Sequence, residues 1–111
     1  MQTISWDEFT KVELRVGRII NAAPFSEARK PAYVLHVDFG EEFGIRKSSA
    51  QITHLYKPEE LVGKLVVAVV NLPKKQIGPL MSECLVTGFH NDKGVALCVP
   101  DRPVPLGTKL L

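Results

Sequence analysis

At 111 residues the chain is long enough for one domain with its own core, yet small enough that a second copy would add materially to its stability, so a homo-oligomer is expected. Its 14 Lys and Arg against 12 Asp and Glu give a formal charge of +2, which excludes a protein that coats nucleic acid by bulk charge and leaves anion binding to local patches. No stretch reaches the ~18 apolar residues of a membrane span, and MQTISWDEF lacks the basic and apolar regions of a signal peptide, so the expectation is a cytoplasmic protein without membrane insertion.

Ser5-Trp6-Asp7-Glu8 has the form of a capping box and predicts a short N-terminal helix ending near Phe9 or Thr10. Trp6 and Phe9 share one face of it and should pack on the barrel or on a partner. From Val12 the period is two, with Val12, Leu14 and Val16 opposite Glu13 and Arg15; Gly17 reads as a bulge or bend in this first strand. Residues 22–31 (AAPFSEARKP) read as a loop. Tyr33, Leu35, Val37 and Phe39 then alternate with Val34, His36 and Asp38 in a second strand, a turn follows Gly40, and residues 45–50 make a third. Pro58, Glu59 and Glu60, with Gly63 as a stop, predict a helical connection.

The apolar run from Leu65 to Val70 is short for a helix and rich in β-branched residues, as in a strand buried on both faces. A basic loop, residues 71–82, follows with a turn at Gly78 and Pro79. A last hairpin pairs residues 83–89 with 95–99 around HNDKG, where Gly94 needs a positive φ. The tail PDRPVPLGTKLL holds three prolines and cannot be a regular strand throughout.

Strand, strand, strand, helical connection, strand, strand is the order of an OB-fold, so the expected fold is all-β: a single domain, residues 1–111, forming a five-stranded Greek-key barrel. Such a barrel binds with strands two and three and the loops joining strands one to two and four to five. On that face the sequence places Arg29, Lys30, Lys74 and Lys75 on the loops and Arg46 and Lys47 on strand three. These cations suit RNA phosphates or acidic stretches of polypeptide; the alternative is a merely solvated surface. Phe25 is expected to be exposed, for stacking on bases or gripping apolar side chains, and Tyr33 to lie in the core. Ser48, Ser49 and Gln51 can bond a backbone or ribose, or simply cap the strand exit. Asn71, Gln76 and Ser82 line the second loop, where Asn71 and Glu83 have a structural hydrogen-bonding role as the alternative. Ile77, Leu80 and Met81 would supply apolar area to the same groove.

The segments KVELRVGRI, YKPEELVGKLVV and VVNLPKKQIGPLMSE resemble the tRNA-binding domain family, OB-fold modules appended to some methionyl- and phenylalanyl-tRNA synthetases and also found as free dimers. FSEARKPAYVLHVDFG and SSAQITHLY are similar to its CsaA branch, export-related chaperones that bind unfolded precursor polypeptides and the secretion ATPase. Two departures weigh against strong tRNA binding. The tRNA-binding members usually carry His-Pro-x-Ala-Asp-Lys-Leu after strand one, where this chain has Phe25-Ser26-Glu27-Ala28-Arg29-Lys30-Pro31. They end the second loop with Ser-x-Gly-Met, where this chain has Ser82-Glu83-Cys84-Leu85. The resemblance thus implies a homodimeric chaperone for unfolded polypeptides, with a structure-reading tRNA-binding module as the alternative.

Catalysis is not expected. Cys84 and Cys98 sit in apolar segments as free thiols, and His36, His54 and His90 share no metal-ligand spacing with them. No nucleophile, base and orienter converge, and neither a P-loop nor a Gly-rich dinucleotide turn is present, so no cofactor is implied.

Overall fold

A computed structural model describes residues 1–111. The elements in chain order are α1 (Trp6–Thr10), β1 (Leu14–Pro24), β2 (Tyr33–Asp38), β3 (Ile45–Ala50), α2 (Pro58–Leu61), β4 (Leu65–Val69), β5 (Lys75–Ile77), β6 (Leu80–Ser82), β7 (Leu85–Val86), β8 (Gly88–Asn91) and β9 (Gly94–Leu97). One antiparallel sheet runs β3-β2-β1-β4-β7 and curls into a nearly closed five-stranded barrel of the OB type, while β5–β6 and β8–β9 are separate hairpins. No helix is long and apolar enough to cross a membrane.

The period-two pattern explains the core. Tyr33, Leu35, Val37 and Phe39 all point inward and are buried, as are Val66 to Val69 of β4; with Val66 and Ala68 they meet Ile19, Ala50, Ile52, Leu61 and Leu97 in one cluster. Tyr33 keeps its hydroxyl satisfied by donating to the Tyr56 carbonyl at 2.8 Å. The capping box forms as expected. Ser5 Oγ accepts from Glu8 N–H at 3.1 Å, and the Glu8 carboxylate accepts from Ser5 N–H at 3.0 Å. Trp6 tilts against Phe9 with ring centroids 5.6 Å apart, yet stays 67% exposed, so it does not pack on its own barrel.

Several boundaries differ from the sequence reading. β1 begins at Leu14 and runs on to Pro24, because residues 22–24 pair with Leu35, Val34 and Tyr33 instead of looping out. Its register shift lies between Ile19 and Asn21, not at Gly17. Gly17 is instead a point of close approach: a Cβ there would lie 2.5 Å from Val37 Cγ1 and 2.7 Å from Phe39 Cε1. The expected last strand, residues 83–89, breaks into β7 and β8 around Thr87. Thr87 is held by β4, donating both its N–H and its hydroxyl to the Val67 carbonyl. The basic loop contains the β5–β6 hairpin, whose two-residue turn has Gly78 at φ 55°, a value glycine adopts freely.

The prolines end before residue 107, and from there the tail lies along the free edge of β1. Gly107 N–H donates to Val16 C=O, Val16 N–H to Thr108 C=O, and Leu110 N–H to Leu14 C=O. Lys109 fastens it further, donating to the Thr10 carbonyl at 3.0 Å and pairing with Glu13 at 2.8 Å.

Candidate functional site

The loop after β1 is shaped by a small satellite core. Phe25 donates its N–H to the Ala32 carbonyl at 3.0 Å, closing the loop, and the buried side chains of Phe25, Ala32 and Leu80 form a cluster with Ala28, Val34 and Ile77 against it. That cluster ties the loop to the β5–β6 hairpin. Between them lies a groove of about 750 Å³. Arg29 and Lys30 line one wall, Lys75, Ile77 and Ser82 the other, Ser49 and Gln51 the floor, and Leu72, Pro73 and Leu85 one end.

Of the residues expected at the site, Arg29, Lys30, Ser49, Gln51, Lys75, Ile77 and Ser82 come together here. The others are placed differently. Phe25, read from sequence as exposed, is 6% exposed, because Leu80 covers it; Leu80 is itself buried. Ser48 is 1% exposed and points into the barrel, as its β2 partner Leu35 does. Arg46 turns its guanidinium to main-chain carbonyls, donating to Val70 at 2.7 Å and Phe43 at 3.3 Å. Lys47 is half-buried and outside the groove lining. Asn71 is a clasp: its Oδ1 accepts from Glu13 N–H at 2.9 Å and its Nδ2 donates to the Lys11 carbonyl at 2.6 Å. Gln76 folds back to the Gly78 carbonyl at 2.7 Å, and Met81 and Lys74 sit on the hairpin outside the groove lining.

Sequence reasoning missed Leu72, Pro73, Leu85, Glu27 and Ala28 as lining residues. Leu85 reads as one more residue of a core strand; in β7 it alternates with Val86, which packs against the core, so Leu85 faces outward, 49% exposed.

Electrostatically the groove is lined by three exposed cations, Arg29, Lys30 and Lys75, and two carboxylates, Glu27 and Glu83. Lys47 N–H donates to the Glu83 carboxylate at 3.0 Å, and that bond, with the charge of Lys74 at 3.7 Å, holds Glu83 below the usual carboxylate range despite partial desolvation. Glu83 is thereby committed to the barrel. Arg29, Lys30 and Lys75 remain exposed and free of protein carboxylates. Burial pushes the Cys84 thiol up to about 11, so it lies protonated beneath the groove. No three His, Cys, Asp or Glu side chains gather where they could hold a metal ion.

The family model described as "Putative tRNA binding domain" matches residues 14–109, nearly the whole barrel and its tail. The chain belongs to the tRNA-binding domain family. Among solved structures it is similar to the CsaA chaperone of Picrophilus torridus, 46% identical with TM-score 0.93, covering 98% of this chain and 100% of that one. It is likewise similar to the CsaA chaperone of Bacillus anthracis str. Ames, 42% identical with TM-score 0.92, covering 99% and 100%. A MetRS-related protein of Pyrococcus horikoshii is 30% identical with TM-score 0.86 over the full length of both chains. Among curated proteins, the methionine–tRNA ligases of Pyrococcus furiosus and Leptospira biflexa are 39% and 45% identical over 110 and 107 residues. Those matches cover 99% and 96% of this chain, which spans 15% of the length of either ligase. The CsaA resemblance read from the residues therefore holds over the whole chain, and the family's OB barrel is the fold observed.

Proposed function

We propose that this tRNA-binding-domain protein is a dimeric, cytoplasmic, export-related chaperone that holds unfolded precursor polypeptides in the groove, with the secretion ATPase as a further partner. The observation that carries this reading is the lining. Leu72 and Leu85 are 51% and 49% exposed, and they lie with Ile77 and Pro73 inside a rim of three cations, while no aromatic ring is present to stack a base. Covering a leucine side chain fully is worth roughly 1.5–3 kcal/mol, which a polypeptide's apolar residues recover and a phosphate does not. The name chaperone on two full-length neighbours supports it as well. For the dimer, the support is apolar surface at the two termini: Ile4, Trp6, Val12, Leu110 and Leu111 are all exposed, and Lys109 holds the tail beside α1.

A second reading, a structure-specific tRNA-binding module, is favoured by the family match and by the free cations Arg29, Lys30 and Lys75. One experiment separates the two. Suppression of aggregation of an unfolded client and binding of tRNA are each titrated across salt for the parent protein, for Leu72→Ser with Leu85→Ser, and for Arg29→Ser with Lys75→Ser. The chaperone reading expects the leucine variant to lose client protection, with little salt dependence in the parent. It fails if only the arginine–lysine variant is impaired and tRNA affinity falls steeply with salt, with a log–log slope near 0.9 per duplex phosphate neutralised. Light scattering at micromolar concentration reads the dimer.

A further inference from the structure

β3 and β7 close the barrel without pairing. At one end of the seam between them Glu83 N–H donates to the Lys47 carbonyl at 2.8 Å, and Lys47 N–H is taken by the Glu83 carboxylate. Lys47 thus turns both peptide groups to the seam and away from β2. In an antiparallel ladder that direction alternates, so Ser49, two residues on in the same β2–β3 register, also turns its N–H and C=O to the seam. Its carbonyl receives only a long bond, 3.5 Å, from Ser48 Oγ. On the opposite bank Thr87 donates its N–H to Val67 of β4, so the adjoining Val86 faces the other way, into the seam. Between the banks is a depression of about 400 Å³ lined in part by Ile52, Val86, His90 and Val95, and it joins the groove through Ser49, Gln51 and Leu85.

We propose that this seam is a second subsite, in which an extended polypeptide bonds its backbone to the free peptide groups of Ser49 and Val86 and lays an apolar side chain over the half-buried Val86 and Val95. The inference rests on the polypeptide reading of the groove and adds to it a way of reading backbone. Free edge groups that offer a donor and an acceptor from one residue match an extended chain, which presents the same pair at every second residue. A phosphate backbone offers acceptors alone and leaves the Ser49 and Val86 carbonyls unmatched. Binding through main chain also explains how one site accepts many unfolded sequences.

The test uses the full chain and a short labelled peptide of alternating valine and threonine, prepared unmodified and with a single N-methyl group at each successive position. N-methylation removes one backbone donor. The subsite predicts losses of roughly 2- to 10-fold at alternate positions and little effect between them. Val86→Pro and Ser49→Pro each delete a seam-facing N–H that belongs to no ladder, and circular dichroism with urea unfolding establishes whether each remains folded. A folded proline variant is expected to weaken the peptide by a similar factor. A flat N-methyl series, or folded proline variants that bind like the parent, overturns the subsite while leaving the groove reading intact. If a proline variant does not fold, the N-methyl series on the parent protein decides alone. Failure of both the unmodified peptide and an unfolded client to bind overturns the subsite and the groove reading together.

Discussion

Asn71 offers a sharp test because it sits where a ligand-binding residue was expected and is used as a clasp. Its amide joins Glu13 N–H at 2.9 Å to the Lys11 carbonyl at 2.6 Å, fixing the start of β1 against the end of β4. Asn71→Ala removes both bonds. Each is worth about 0.5–1.5 kcal/mol, and since both are exposed, water replaces part of the loss, leaving roughly 1–2 kcal/mol. For a domain of this size that lowers the melting temperature by about 4–8 °C per kcal/mol. Asn71→Asp is the sharper variant: one oxygen still accepts from Glu13, but the other faces the Lys11 carbonyl with no donor between them, so it should fall on the destabilised side too. Urea unfolding followed by circular dichroism measures stability, with client binding measured in parallel under native conditions. Unchanged stability in both variants together with lost client binding would refute the clasp and return Asn71 to the binding site.

Gly17→Ala should destabilise the barrel by about 1–3 kcal/mol, because the new methyl must displace Val37 or Phe39 in a packed core; an unchanged urea midpoint would show that the core yields there without cost. The Lys47 N–H bond and then the Lys74 charge keep Glu83 below its ordinary value, so its contribution is fully present above the usual glutamate pKa of about 4.3 and is lost as pH falls through the folded value. Glu83→Gln should therefore be less stable than the parent near neutrality and show a shallower loss on acidification, read from urea midpoints across that range. Parallel acid limbs would remove Glu83 from the account.

Strands were legible in the sequence wherever one face is buried, because a period of two is a local property of the backbone. Tyr33, Leu35, Val37 and Phe39 announced β2, the run from Leu65 to Val70 announced β4, and Ser5 with Glu8 announced the cap of α1. The convergence of the loops after β1 and β4 followed from that strand order, and it placed Arg29, Lys30 and Lys75 beside Ser49 and Gln51. Loops carry no such period, so which way their side chains turn was decided in three dimensions. Phe25 is buried because distant Leu80 and Ile77 pack with it over the loop, Leu72 is exposed where the chain has left β4, and Leu85 is exposed because it alternates in β7 with Val86, which packs on the core. Gly17 looked like a bulge because its sequence neighbours do not reveal Val37 and Phe39 pressing on it from β2 and the turn beyond. The seam was beyond local pattern altogether: a strand's sequence says which side chains face the core, and only the closure of the barrel says which backbone edge is left without a partner.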